Sequence, residues 1–171
     1  MSVNEILESA SVSVDVLNDM LNYDKTERGE LVLELTVVKK WKLFQSTVDE
    51  FCISAAKKKL KFDFHFVTKE KGIVKSVSEL PSDMRRQGDV GDEIRLKQVL
   101  RNLLSIAIKF TPVESSVKVR ASLKASTKPP TDTSFVLKAG DQVVVQASDF
   151  VQVEVEDSGA GMSVEHLALL Y

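Results

Sequence analysis

Between Gly91 and Pro112 the sequence spells one long amphipathic helix with a hard stop. Ile94, Leu96, Val99, Leu100, Leu103, Leu104, Ala107 and Ile108 recur at helical spacing. Thr111-Pro112 ends the run, because the residue before a proline is driven out of the α region. Such a helix cannot bury its apolar side alone and needs a sheet or another helix against it. The residues after it supply strands. Val117, Val119, Ala121 and Leu123 alternate, Val143-Val144-Val145 forms a second run, and Val151, Val153 and Val155 alternate again, the period-two signature of half-buried strands. Thr127 to Thr133, with Pro129 and Pro130, reads as an exposed loop.

Upstream the patterns are shorter. Ile6, Ala10, Val14, Leu17 and Leu21 lay an apolar seam along one helical face. That seam packs either on its own domain or on a second copy in a dimer. A polar hinge from Asp24 to Gly29 ends this helix, with Gly29 at a position suited to a C-terminal cap. Leu31, Leu33 and Leu35 predict a half-buried strand. After Trp41, Phe44, Val48, Phe51, Cys52 and Ala55 predict a helix facing one way, closed by Lys57, Lys58 and Lys59 where cations suit the helix dipole. Leu60, Phe62, Phe64 and Phe66 alternate as a strand, and residues 69–90 form a weakly patterned connection with a short strand around Ile73 and Val74. The order predicts an α+β fold, a two-layer sandwich with helices on one face of a mixed sheet. Residues 1–28 form a helical region and residues 29–171 the main domain.

Composition removes several function classes. A net charge of −2 gives no basic field for nucleic acid or an anionic membrane. The lone cysteine, Cys52, excludes a disulfide within the chain and a multi-thiolate zinc site, and its apolar setting predicts a buried, inert thiol. No apolar stretch reaches the ~20 residues of a membrane-spanning helix, and the first residues do not read as a signal peptide. A soluble, cytoplasmic chain is expected.

Two segments carry a resemblance. The run Gly91-Asp92-Glu93-Ile94-Arg95-Leu96-Lys97-Gln98-Val99-Leu100-Arg101-Asn102, continuing to Thr111-Pro112, resembles the N-box helix of sensor histidine kinases. Val153-Glu154-Val155-Glu156-Asp157-Ser158-Gly159-Ala160-Gly161-Met162 resembles their first glycine box, a strand entering D-x-G-x-G. Val16 to Tyr23 followed by Gly29-Glu30-Leu31 is similar to the end of the second dimerisation helix and its linker. The resemblance implies the Bergerat ATPase fold, incomplete at its C-terminal side and preceded by one dimerisation-type helix.

It also implies a site. Asp157 would accept a hydrogen bond from the adenine amino group, since an ionised carboxylate is an acceptor only. Gly159 and Gly161 would let the backbone turn and approach the nucleotide. Asn102, Ile106 and Lys109 share one helical face, which in the family looks at the triphosphate; Lys109 would approach it as a point charge. Phe110 and Met162 complete the implied ATP-binding set. The family's magnesium-holding asparagine falls at Ile106, whose side chain offers no oxygen to a hard cation. Asn102, one turn earlier on the same face, could contribute an amide oxygen but matches the family's first N-box asparagine and not the metal ligand, so metal-dependent ATP binding is expected to be impaired.

His65, in an alternating strand, and His166, after the glycine box, lack the surroundings of the family's phosphoacceptor. The acceptor helix, the ATP lid and the second glycine box are expected outside this sequence. The resemblance implies ATP and Mg²⁺ as cofactors, a homodimer through the first helix and a response-regulator receiver as partner. It leaves two readings: an ATP-binding part of a histidine kinase in a phosphorelay, inactive in isolation, or a non-catalytic dimerising pseudokinase module. Other ATPases of the superfamily stand third.

Overall fold

A computed structural model describes residues 25, 27–30, 32–68, 72–125, 131–147 and 149–161. The chain divides into two compact units, Met1–Leu33 and Glu34–Tyr171. The seam of the first helix lies outside the described residues, as do Met162 and His166. In the first unit Lys25 and Glu27 are helical, and the Glu30 N–H donates to the Lys25 carbonyl at 2.8 Å. Gly29 sits between them at φ +65°. This is a left-handed glycine cap, as the hinge sequence predicts.

The second unit is built on a four-stranded mixed sheet in the order β3-β2-β5-β8. Strand β2 (Lys61–Thr68) runs parallel to β5 (Ser116–Ala125), while β3 (Gly72–Val74) and β8 (Asp149–Asp157) pair antiparallel on either side. A parallel neighbour needs a crossover, and the long helix α4 (Glu93–Phe110) lies within it. Two smaller sheets stand apart: β1 (Thr36–Val38) pairs β4 (Asp89–Gly91), and β6 (Thr131–Val136) pairs β7 (Gln142–Ala147) as a hairpin. Helices α1 (Lys40–Asp49), α2 (Cys52–Lys57) and α3 (Ser82–Arg86) complete the described elements.

Register explains the core. Phe62, Phe64 and Phe66 of β2 face Val117, Val119 and Ala121 of β5, and Val155 and Val153 of β8 face the last two. Because side chains alternate across a strand, these residues share one face of the sheet. Phe66, Val117, Val119 and Ala121 are fully buried there with Trp41, Phe44 and Val48 of α1, Ala55 of α2, and Leu100, Leu104, Ala107 and Ile108 of α4. Trp41 meets Phe44 and Phe66 edge-on, at ring separations of 6.2 and 5.7 Å, the arrangement that ring quadrupoles favour. The opposite face is charged: Arg120 of β5 pairs with Glu154 at 3.0 Å and Glu156 at 3.1 Å.

Several expectations are corrected. Residues 32–35 are not a strand; Val32 is 80% exposed and Leu33 52%. Extended backbone becomes a strand only where a partner takes its hydrogen bonds, and pairing begins at Thr36 opposite Gly91. The helix expected through Ala55 breaks at Glu50 and Phe51. A tight Phe51 N–H to Val48 carbonyl bond at 2.9 Å marks the break, a 3₁₀-type closure that changes the helix register. Ala55 enters the core as a result, and Cys52 is exposed. The thiol is therefore not buried, although partial desolvation, and then the charge of Asp49, push its pKa up. Thr131–Thr133 open strand β6 instead of belonging to a loop. The connection up to residue 90 contains the expected strand at Ile73 and Val74, and also α3, β4 and a 3₁₀ turn at Val77–Glu79. Leu80 and Met84 anchor it in the core.

Candidate functional site

Helix α4 starts on a side-chain cap. Asp92 accepts from the Arg95 N–H at 3.1 Å, satisfying a donor that has no partner within the helix. At the other end the Thr111 hydroxyl donates to the Ala107 carbonyl at 2.7 Å. Lys58 donates to the carbonyls of Ile108 at 2.8 Å and Lys109 at 2.7 Å. Lys58 thus serves the C-terminus of α4, where its charge also complements the dipole.

The eight apolar positions that announce this helix divide into two groups. Leu100, Leu104, Ala107 and Ile108 are buried, whereas Ile94, Leu96, Val99 and Leu103 are exposed. Leu96, Val99, Leu103, Ile106 and Phe110 follow one another at steps of three and four, all exposed, and so form an apolar stripe beside the buried face. Asn102 and Lys109 are exposed just beyond it, and Ile106, 56% exposed, is the member of the stripe nearest this polar pair. The Lys109 ammonium stands 5.4 Å from the centre of the Phe110 ring.

Strand β8 delivers the glycine segment to the end of this helix. Asp157 follows Val153 and Val155 at period two and pairs with Val117, so it stands on the helix-bearing face of the sheet, at the strand's end. Its Oδ1 accepts from the Gly159 N–H at 2.9 Å, which folds the chain back at once. Ser158 locks the turn to β5: its hydroxyl accepts from the Ser116 N–H at 2.9 Å, and its N–H donates to the Ser116 carbonyl at 3.1 Å. The two glycines serve for different reasons. A Cβ on Gly159 would lie 2.6 Å from the Asp157 carboxylate and 3.0 Å from the Phe110 carbonyl. Gly161 adopts φ +69°, a left-handed conformation that costs glycine least.

The structure thus brings Asp157, Gly159, Gly161, Lys109 and Phe110 to one corner, where the glycine turn abuts the last turn of α4. Asn102 and Ile106 lie farther back along that helix. Among the described residues no group of three His, Cys, Asp or Glu side chains could hold a metal ion, and Ile106 supplies no oxygen. The corner fits a magnesium ion poorly. Two clefts of about 180 and 380 Å³ lie beside α1, lined by Lys39 and Lys42 in both cases, and neither is lined by a residue of this corner.

Residues 91–171 match the family described as histidine kinase-, DNA gyrase B- and HSP90-like ATPases. The match begins with α4 and includes the glycine turn. The chain carries a histidine kinase-type ATPase domain. It is 31% identical over 122 residues to the osmosensing histidine protein kinase SLN1 of Saccharomyces cerevisiae, across 71% of this chain and 9% of that protein. It is 27% identical over 168 residues to the sensor histidine kinase GacS of Pseudomonas protegens, across 97% of this chain and 14% of that protein. Full-length ShkA, solved in complex with AMPPNP, shares the fold at a TM-score of 0.59 with 21% identity, over 95% of this chain and 27% of that one. The chain therefore spans a small part of the kinases it matches. The α+β Bergerat architecture expected from the two motifs is the architecture found. No helix among the described residues is long and apolar enough to cross a membrane.

Lys58 closes α2 as its C-cap residue, as the lysine run predicts, but its side chain also serves α4. Its partners are about fifty positions away, and no local pattern announces them.

Proposed function

We propose that this domain binds the adenine end of ATP at Asp157 and the glycine turn, with Lys109, Phe110 and Met162 contributing, and holds magnesium weakly or not at all. One observation carries the reading: Gly159 packs so closely that a Cβ there would lie 2.6 Å from the Asp157 carboxylate and 3.0 Å from the Phe110 carbonyl at the end of α4. The sequence uses glycine where the two motifs meet, which brings an acceptor carboxylate and a lysine to the same corner. In the whole protein the domain would serve ATP-dependent histidine phosphorylation and a phosphorelay to a receiver domain, with a homodimer formed through the first helix. The segment itself would be inactive, since phosphoryl transfer rests on positioning and on charge at the phosphates, and Ile106 presents neither.

Ile106 also favours a second reading, a pseudokinase module that regulates by pairing. Titration of a fluorescent ATP analogue separates the two, with and without Mg²⁺, on the parent chain and on Ile106→Asn. The expected result is weak binding unaffected by magnesium in the parent, and magnesium-dependent tightening in the variant. Magnesium-dependent binding by the parent would refute the weak metal site, and binding absent in the parent but restored by Ile106→Asn would favour the module.

A further inference from the structure

We infer that Asp92 and Lys138 form a strap that couples the tip of the β6–β7 hairpin to the N-terminus of α4 through Glu34 and Leu35. The Asp92 carboxylate is buried and uses its two oxygens on two different segments. Oδ1 accepts from the Arg95 N–H in the first turn of α4 at 3.1 Å, and Oδ2 accepts from the Glu34 N–H at 3.0 Å. Hydrogen bonds to a charged acceptor are strong ones, and a buried carboxylate that loses a donor cannot replace it with water. Residue 34 is the first of the second unit, so the chain enters that unit already bonded to the cap of α4.

The hairpin holds the same residue from the other side. At its turn, where Gly140 adopts φ +88°, the Lys138 N–H donates to the Leu35 carbonyl at 2.7 Å and its ammonium meets the Glu34 carboxylate at 2.6 Å. The ion pair is exposed and alone would count for little. The backbone bond beside it fixes the geometry of the pair. Strands β6 and β7 pair with each other and not with the four-stranded sheet. A force on the hairpin therefore reaches Glu34, then Asp92, then the first turn of α4, the helix that carries Asn102 and Lys109. Thr36 reinforces the middle link, pairing with Gly91, the residue before Asp92.

Site-resolved amide hydrogen exchange on the whole chain tests this, using Lys138→Glu, Asp92→Ser and the double variant. Serine keeps a side-chain cap for Arg95 but lacks the second acceptor for Glu34. Lys138→Glu sets two carboxylates against each other beside the backbone bond and is expected to speed exchange at Glu34, Arg95 and Leu96 by roughly two- to fivefold, as local opening does, with β5 and β8 unchanged. In the Asp92→Ser background the same substitution is expected to leave Arg95 and Leu96 unaffected. Should Asp92→Ser fail to fold, Glu34→Pro deletes the same N–H from the opposite side. Wild-type rates at Arg95 and Leu96 in Lys138→Glu, or an equal effect in both backgrounds, would overturn the coupling. The readout needs no nucleotide, so its outcome is separate from that of ATP binding.

Discussion

Gly159 shows how one missing atom can set a site. Its N–H bonds the Asp157 carboxylate at 2.9 Å, and the space for a side chain is taken by that carboxylate and by the Phe110 carbonyl. Gly159→Ala must displace the Asp157 carboxylate and crowds the end of α4. Overpacking of this kind costs about 1–3 kcal/mol. The expected outcome is a chain that still folds, with a lower denaturation midpoint and no measurable binding of the fluorescent ATP analogue. Gly161→Ala acts differently: the space around it is open, and only its left-handed backbone is penalised, by ~1 kcal/mol. A variant pair in which Gly161→Ala abolished binding while Gly159→Ala spared it would contradict this account. Both glycines are legible in the sequence, but the reason for each is not, because crowding at Gly159 comes from a helix that ends almost fifty residues earlier.

Helix α4 is the element on which most depends, and its N-terminus titrates. Burial pushes the Asp92 carboxyl up, but the N–H groups of Glu34 and Arg95, with the Arg95 charge, outweigh it, so the pKa is held below the ordinary 3.8. A carboxyl whose folded pKa is depressed stabilises the fold above its unfolded value, and that contribution is lost as pH falls through the lower folded value. Denaturant midpoints measured from pH 6 downwards should therefore fall for the wild type from about pH 3.8. Asp92→Asn should start lower and lack that part of the decline, since an amide keeps the cap but has no charge to lose. Parallel curves for the two chains would show that Asp92 does not titrate as its contacts require. The helix itself and its stop at Thr111 were visible in the sequence; the Asp92 cap came from the structure. Its orientation was not: eight apolar positions covered more than one face, and only contact with β5, β8 and α1 selects which of them are buried.

At the scale of the whole molecule, the sandwich covers one face of its sheet and leaves an apolar stripe on α4 uncovered. Adjacent leucines therefore differ sharply in consequence. Leu103 is 45% exposed and Leu104 fully buried. Leu103→Lys should change stability by less than about 0.5 kcal/mol, as surface substitutions do. Leu104→Ala should cost about 2–5 kcal/mol. Equilibrium urea unfolding measures both, and equal losses would mean that the helix is rotated from the orientation described.

What the sequence determined by itself was local and periodic: the α4 helix and its stop, the alternation of β2, β5 and β8, the glycine turn after Asp157, and the cap at Gly29. Each rests on interactions within a few residues or on a repeating pattern that any partner surface would satisfy. The tertiary structure alone decided which side of α4 is buried, that Cys52 faces outward after a broken helix, that Lys58 caps a helix fifty residues away, and that Glu34, Asp92 and Lys138 meet. Those outcomes depend on hydrogen bonds and packing between distant segments, and a single chain read in order carries no signal for which distant donor finds which acceptor.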